Sequence, residues 1–374
     1  MPTLVVVVPE LVAPDESSSV LLGSHPILTR FAENGEVLAL RALGNLETPE
    51  ACYLGLKPDE AQMRPGPLMV SALGADPPTR STHFLVSVMG LRGEGLAFPV
   101  ALPDAAESQQ LTDVFRFLNT KALTLLQGEE LEHGLVWEGI GDVMTVPPSD
   151  AVGKPLAEVL PQGDLEKSLR RFNDDSINIL METEFNRIRL EEGRMPLVVL
   201  WPWGQGIRYP TPNLALKRGG PARVQSESYR MLGLTRLVGY RHGDRKQFQS
   251  GLNLDLPGLV KELPDSMPLL LVASGVGQMR ANGQMEELEW FLNRIETEYL
   301  SPVWDWAKSV EEKGESVSFA LVAPSVGCEG LALRYESGVA GGRPLPFDER
   351  SLEERTIRRT NTHEVIDRVL SARS

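Results

Sequence analysis

Uninterrupted apolar runs recur along the chain, and the spacing between them predicts buried strands alternating with amphipathic helices. Leu4 to Val8 is a continuous, largely β-branched run, the pattern of a central parallel strand covered on both faces. The segment HPILTRFAENGEV follows, with Ile27, Leu28 and Phe31 at helical spacing and Asn34-Gly35 as a carboxyl-terminal stop. A strand over Val37–Arg41 comes next. This strand, helix, strand opening predicts a mainly parallel, doubly wound α/β sheet.

Residues 61–150 have a different texture. MRPGP and GADPPTR are rich in turn formers, THFLVSVMGLRGEGLAFPVAL reads as a meander, and TDVFRFLNTKALTLL reads as an amphipathic helix with Thr112 at its N-cap. The change predicts an inserted α+β lobe over residues 63–184, with 1–62 and 185–374 forming the α/β core. A long helix is expected from Leu165 to Glu192, then a strand over Met195–Leu200. Leu270 to Ala273 is a further buried strand, with Ser274, Gly275, Val276 and Gly277 as the loop at its carboxyl end, where open α/β sheets bind ligands. MEELEWFLNRIETEYLSPVWDWAKSVEEKG predicts helix until about Leu300; its Trp290, Trp304 and Trp306 could serve an interface, with core packing the safer expectation. SVSFALVAPS is the last core strand expected.

Composition narrows the function classes. The 374 residues are 42% hydrophobic and 24% charged, an ordinary globular balance with ample material for a core. The formal charge is 37 − 51 = −14, which repels a phosphate backbone unless basic residues cluster, and they do not. The basic stretches Arg236–Lys246 and Arg355–Arg359 are short, and the second adjoins the acids Glu353 and Glu354 like a solvated helix face. Nucleic acid is therefore not an expected partner. The amino-terminal run has no basic flank and breaks at Pro9, too short for a signal peptide or a membrane span, so the reading is a cytoplasmic protein without a membrane partner. Two cysteines, Cys52 and Cys328, are too few for a disulfide framework or a thiolate metal site.

The most specific stretch is EFNRIRLEEGRMPLVVLWPWGQGIRYPTP, residues 184–212. Its order resembles the cofactor-independent phosphoglycerate mutases of the archaeal type, members of the alkaline phosphatase superfamily. In that family a helix bearing Asn and Arg leads through a Gly to a strand ending in Trp-x-Trp-Gly-x-Gly and then a proline-rich turn. Asn186, Arg189, Gly193, Trp201, Trp203, Gly204, Gln205, Gly206 and Pro210 fit that order. SHPILTRFAENGEV is similar to the family's first helix, ACYLGLKPDEAQMRPGP to its nucleophile segment, SYRMLGLTRLVGY to the segment after the Trp-Gly motif, and FDE, residues 347–349, to its tail. The resemblance implies an alkaline-phosphatase-like three-layer core. A plainer reading of WPWGQG stands beside it: a packed turn whose tryptophans fill volume and whose glycines permit positive φ.

The resemblance also implies two divalent metals at the carboxyl ends of the sheet, activating a Ser nucleophile and clamping phosphoryl oxygens. This chain departs from that pattern at each element. Pro9-Glu10 replaces the Asp-Gly after the first strand, Cys52 falls at the nucleophile position, Ser274–Gln278 replaces an Asp/His set, and Pro324-Ser325 replaces an Asp-His pair. Pro148 and Ser149 stand where the lobe's Asp-Pro-His element is expected, leaving Asp150 as a remnant. The five histidines are His25, His83, His133, His242 and His363, with none between His242 and His363, so the imidazole ligands favoured by zinc or manganese are not supplied. His83 and His133 read as ordinary polar residues.

Three functional readings follow. In the first, the protein is phosphoglycerate-mutase-like, has lost two-metal phosphoryl transfer, needs no cofactor, and serves a binding or regulatory role. Asn186, Arg189, Trp203, Gly204, Gln205 and Arg208 would then form a pocket for a small phosphorylated or carboxylated ligand. Against this, Arg189 could simply pair with Glu191 or Glu192. In the second, the chain is an active phosphomutase or phosphatase with a rearranged centre of Cys52, Glu10, Asp15 and Asp150 holding Mn or Zn, although Cys52 equally suits a small buried hydrophobe. The third, nucleotide binding at Gly275 and Gly277, lacks both the third glycine of the dinucleotide spacing and the Lys-Ser/Thr of a phosphate loop.

Overall fold

The computed structural model describes residues 3–12, 26–44, 46–60, 62–76, 80–92, 95–97, 100–208, 210–243, 267–273, 275–281, 283–336 and 359–371. Two compact units divide the chain, Met1–Gln62 with Thr211–Ser374, and Met63–Pro210.

Along the chain, the first unit opens with β1 (Thr3–Val7), α1 (Pro26–Asn34), β2 (Glu36–Leu40) and the short α2 (Glu50–Tyr53). The second unit holds α3 (Pro65–Ala72), β3 (Thr82–Arg92), β4 (Gly95–Ala97), α4 (Ala105–Leu118), β5 (Leu123–Leu126), β6 (Glu132–Trp137), β7 (Val143–Met144), α5 (Pro148–Ala151), α6 (Leu156–Val159), β8 (Gln162–Gly163), α7 (Glu166–Met181), α8 (Glu184–Glu191) and β9 (Val199–Gly206). The first unit resumes with α9 (Leu214–Lys217), β10 (Arg223–Gln225), α10 (Tyr229–Leu237), β11 (Arg241–His242), β12 (Leu269–Val272), α11 (Val276–Ala281), α12 (Met285–Arg294), a π-helical turn over Ile295–Leu300, α13 (Ser301–Glu312), β13 (Ser318–Ala323), β14 (Gly330–Glu336), β15 (Arg359–Thr360) and α14 (Thr362–Ser371).

The first unit's sheet runs β11-β10-β12-β1-β13-β14-β2-β15, and β11 through β13 are all parallel. β1 sits between β12 and β13, with Val5 opposite both Leu270 and Ala320. Its fully buried run follows from cover on both sides. On one face Leu4 and Val6 join Phe31 of α1, Phe291 of α12 and Val303 of α13 in a single core. On the other, α14 packs against β1 and β13 and buries Val365, Ile366, Val369 and Leu370. The chain leaves β1 toward one side of the sheet for β2 and returns on the other for β10 to β12. The carboxyl end of β1 is therefore a switch point of the kind that receives ligands in open sheets.

The second unit is an antiparallel sheet, β4-β3-β6-β5, in which β9 also pairs with β3. Phe84, Val86 and Val88 pack with Leu111, Phe115, Leu169 and Phe172 of α4 and α7.

Several expectations change. The lobe ends at Pro210 instead of 184, because β9 pairs with β3 and carries α8 and WPWGQG with it. The α4 helix starts earlier than Thr112: Asp104 is its N-cap in a reciprocal capping box with Glu107, while Thr112 lies mid-helix and bonds back to the Ser108 carbonyl. Leu123–Leu126 pairs as a strand with β6. The helix expected over 165–192 breaks at Glu182 and Thr183, where Thr183 turns extended before α8. Helix continues past Leu300 to Glu312 through the π-helical turn, with Pro302 at the start of α13. The β14 strand was not expected. Trp304 and Trp306 pack against the core as expected, but Trp290 is 55% exposed beneath the Arg294 guanidinium. Among the described residues no helix is long and apolar enough to cross a membrane.

Candidate functional site

The switch point at the end of β1 gathers the strand ends of the first unit. Past β1 the backbone stays in register, Val8 N–H donating to the Val322 carbonyl at 2.9 Å and Glu10 N–H to the Pro324 carbonyl at 2.8 Å. Glu10 turns the chain with φ 60°. Its carboxylate accepts from Ser325 Oγ at 2.7 Å and from Val326 N–H at 2.8 Å. Arg280, at the far end of α11, donates to the carbonyls of Glu10 (3.3 Å) and Leu11 (2.8 Å). Gly277 comes so close that a Cβ there would lie 3.0 Å from Glu10 Cγ. The stretch expected to be a bare ligand loop is therefore largely helix from Val276 onward, and its glycine makes room for Glu10. Ser274 lies outside the described residues, as do Asp15 and the FDE tail.

These donors do not suit a divalent cation. Among the described residues the groups bonded to the Glu10 carboxylate are a hydroxyl and a backbone N–H, both donating, where a metal site needs further electron-pair donors. Among the described residues no three His, Cys, Asp or Glu side chains are grouped so as to hold a metal ion. Asp150 is exposed on α5 in the second unit, where it accepts from Ser149 Oγ.

Cys52 is wholly buried on α2, and desolvation pushes its thiol up to about 11, opposite to what a nucleophile needs. Neighbouring Tyr53 is held well above the usual phenol value, first by burial and then by the charges of Glu50, Glu10 and Cys52. Arg230 of α10 approaches Glu50 at 3.5 Å. Gln225, the last residue of β10, and Ser226, which follows it, are both fully buried at the same edge of the sheet.

The six residues expected to bind a ligand all fall in the second unit, and most are occupied by the protein itself. Asn186 is buried, its amide donating to the Leu180 and Leu197 carbonyls at 2.8 and 2.7 Å while its oxygen accepts from Leu197 N–H. Arg189 is also fully buried. It donates to both oxygens of Glu107 (2.9 and 2.6 Å) and to the carbonyls of Ala101, Leu102 and Met195. Neither the pocket role nor the alternative pairing with Glu191 or Glu192 describes it; Glu107, 82 residues earlier, is its partner. The signal for Glu107 was present as Asp104-x-x-Glu107, the capping-box spacing. The Trp203 indole donates to Ser87 Oγ at 2.9 Å, and the Gln205 amide donates to the Val143 carbonyl and accepts from Thr145 Oγ1. Gly204, at φ 61°, packs on Pro65. WPWGQG is not a packed turn but the carboxyl-terminal part of β9, paired with β3, and the side chains of Trp201, Trp203 and Gln205 bond within the second unit. Arg208 is the member of the six whose guanidinium stays exposed, paired with Asp76 at 2.7 Å.

His83 and His133 are buried and neutral. Burial pushes His83 down to about 4, with Arg208 adding to the effect, and His133 down to about 3. His83 Nε2 lies 2.8 Å from Ser81 Oγ, and His133 Nδ1 accepts from Gly128 N–H.

A mainly parallel sheet between helix layers, with a separate α+β unit inserted after its first crossover, is the alkaline-phosphatase-like arrangement, and solved structures share it over the whole chain. The PH0037 protein from Pyrococcus horikoshii superposes with a TM-score of 0.72 at 16% identity, covering 100% of this chain and 99% of that one. The cofactor-independent phosphoglycerate mutase from Thermoplasma acidophilum does so with a TM-score of 0.58 at 17% identity, covering 98% of each. In sequence, the chain is 28% identical over 165 residues to a probable 2,3-bisphosphoglycerate-independent phosphoglycerate mutase of Geobacter sulfurreducens, covering 42% of this chain and 39% of that protein. It is 28% identical over 159 residues to 2,3-bisphosphoglycerate-independent phosphoglycerate mutase 2 of Methanothermobacter thermautotrophicus, covering 41% of this chain and 39% of that one. The chain thus matches about two fifths of the length of these curated relatives. No family model matches it. The protein is phosphoglycerate-mutase-like, a partial homologue of the cofactor-independent mutases with their fold.

Proposed function

We propose that this protein keeps the mutase scaffold without two-metal phosphoryl transfer and serves a binding or regulatory role. The observation that carries the proposal is the state of Glu10. Among the described residues it is the carboxylate just past β1, and both of its oxygens accept hydrogen bonds from residues just past β13. The burial of Cys52, which pushes its thiol up to about 11, speaks against its serving as a replacement nucleophile. A small phosphorylated or carboxylated ligand would meet the exposed guanidinium of Arg208, at the cost of its exchange from Asp76, a surface pair worth about 0–1 kcal/mol.

The test is calorimetric titration of chelator-treated protein with Mn²⁺ and with Zn²⁺, run beside an assay of 3-phosphoglycerate to 2-phosphoglycerate conversion. Neither tight two-site binding nor turnover is expected. Two-site binding with turnover would refute the proposal and direct attention back to Cys52 and Glu10. Titration with 3-phosphoglycerate in the absence of metal, comparing wild type with Arg208→Ala, tests the ligand class: weaker binding by the variant supports it, and equal binding refutes the Arg208 contact.

A further inference from the structure

Glu10 and Gly277 invert what the backbone alone would choose. Glu10 occupies the left-handed region at φ 60°, where glycine is the unstrained residue. The glycine stands opposite on α11 instead, where a Cβ would press to 3.0 Å from Glu10 Cγ. A chain needing only a turn after β1 would place glycine at position 10, so the side chain must offset the strain.

What it does there is join strand ends. One carboxylate oxygen accepts from Ser325 Oγ at 2.7 Å and the other from Val326 N–H at 2.8 Å, both just past β13. Ser325 Oγ in turn accepts from Cys328 N–H at 3.4 Å and lies 3.2 Å from its thiol. From the other side Arg280 holds the carbonyls of Glu10 and Leu11. Three elements, β1, β13 and α11, thus converge on one residue.

We infer that Glu10 is a hydrogen-bonded clasp, fixing the carboxyl ends of β1 and β13 against α11 where the mutase resemblance would place a cation. The inference deepens the proposed function and rests on its cation-free reading. The clasp makes the geometry of this edge a property of the chain alone, indifferent to the supply of divalent ions.

The experiment compares wild type, Glu10→Gly and Glu10→Ala by thermal unfolding and by the rate at which a thiol reagent labels native Cys328, the half-buried neighbour of Ser325. Glycine relieves the left-handed strain and removes the carboxylate, so the two accounts differ in sign. The clasp lowers the melting temperature of Glu10→Gly by a few degrees and raises Cys328 labelling several-fold. A turn residue without a clasp gives a higher melting temperature and unchanged labelling, which overturns the inference. Should both variants fail to fold, Glu10→Gln keeps the side-chain size and one acceptor; labelling faster than wild type supports the clasp, and an equal rate overturns it. Wild type melted with and without EDTA is expected to give one temperature. A fall in EDTA refutes the cation-free reading, whereas the glycine variant judges the clasp by itself.

Discussion

Arg189→Ala tests the assignment of the most deeply buried cation in the second unit. The guanidinium has no exposed surface, and it binds both oxygens of a Glu107 carboxylate that is itself 4% exposed. Truncation removes these bonds and three backbone carbonyl contacts, leaving Glu107 with Asp104 N–H and the partly exposed Arg194, 3.0 Å away. Breaking one side of a buried pair costs about 3–5 kcal/mol. The surviving Arg194 contact places the expected loss near the lower end, about 3 kcal/mol. The pair also carries a pH signature. Burial pushes the Glu107 carboxyl up, but the hydrogen bonds from Arg189 and Asp104 and the charges of Arg189 and Arg194 outweigh it, holding the group below the usual carboxylate range. A depressed folded value stabilises above the unfolded carboxyl value of about 4.3 and is lost as pH falls through the folded value. Urea unfolding at pH 7 and pH 3, followed by tryptophan fluorescence, should show a large gap between wild type and variant at pH 7 that narrows at pH 3. A loss below about 1 kcal/mol at pH 7, or a gap independent of pH, would refute the structural assignment and return Arg189 to the candidate ligand residues.

Two further perturbations test other parts of the reasoning. Gly204→Ala forces a Cβ to 2.8 Å from Pro65 Cβ at φ 61°, whereas Gly193→Ala meets nothing within 4 Å at φ 69°. The first should cost about 2–4 kcal/mol in urea unfolding and the second about 1–2; equal losses would show that packing on Pro65 contributes nothing. For Cys52, burial raises the folded thiol from its ordinary value of 9.0 to about 11. Its contribution to stability is therefore complete below the unfolded value and lost as pH rises through about 9 to 11. Wild type should lose more stability than Cys52→Ala over that interval, and native protein should react with thiol reagents at Cys328 before Cys52. Prompt Cys52 labelling at neutral pH would revive the nucleophile reading.

Local pattern was enough to determine the core of the first unit. The apolar runs at Leu4–Val8, Leu269–Ala273 and Ser318–Ala323 became neighbouring parallel strands, because a strand covered on both faces leaves a continuous apolar signature whatever its partners. The Asn34-Gly35 stop was equally legible, since helix termination depends on the residues beside it. β14 was passed over although Leu331, Leu333 and Tyr335 alternate, and the lobe boundary was misplaced because pairing of β9 with β3 spans more than a hundred residues.

The candidate site divides in the same way. Missing histidines and carboxylates could be counted in the sequence, and so could the WPWGQG likeness. What the remaining polar groups do could not, because a hydrogen bond is a matter of distance between residues far apart in the chain. Arg189 reads as an anion binder by residue type and is a buried partner of Glu107 only once α4 and α8 are folded together. Glu10 reads as a metal-ligand remnant and meets Ser325 only once β1 and β13 lie side by side. The sequence determined which side chains are available and which segments must be buried; the tertiary structure decided their partners, since only the packed sheet brings residues 10 and 325 within 2.7 Å.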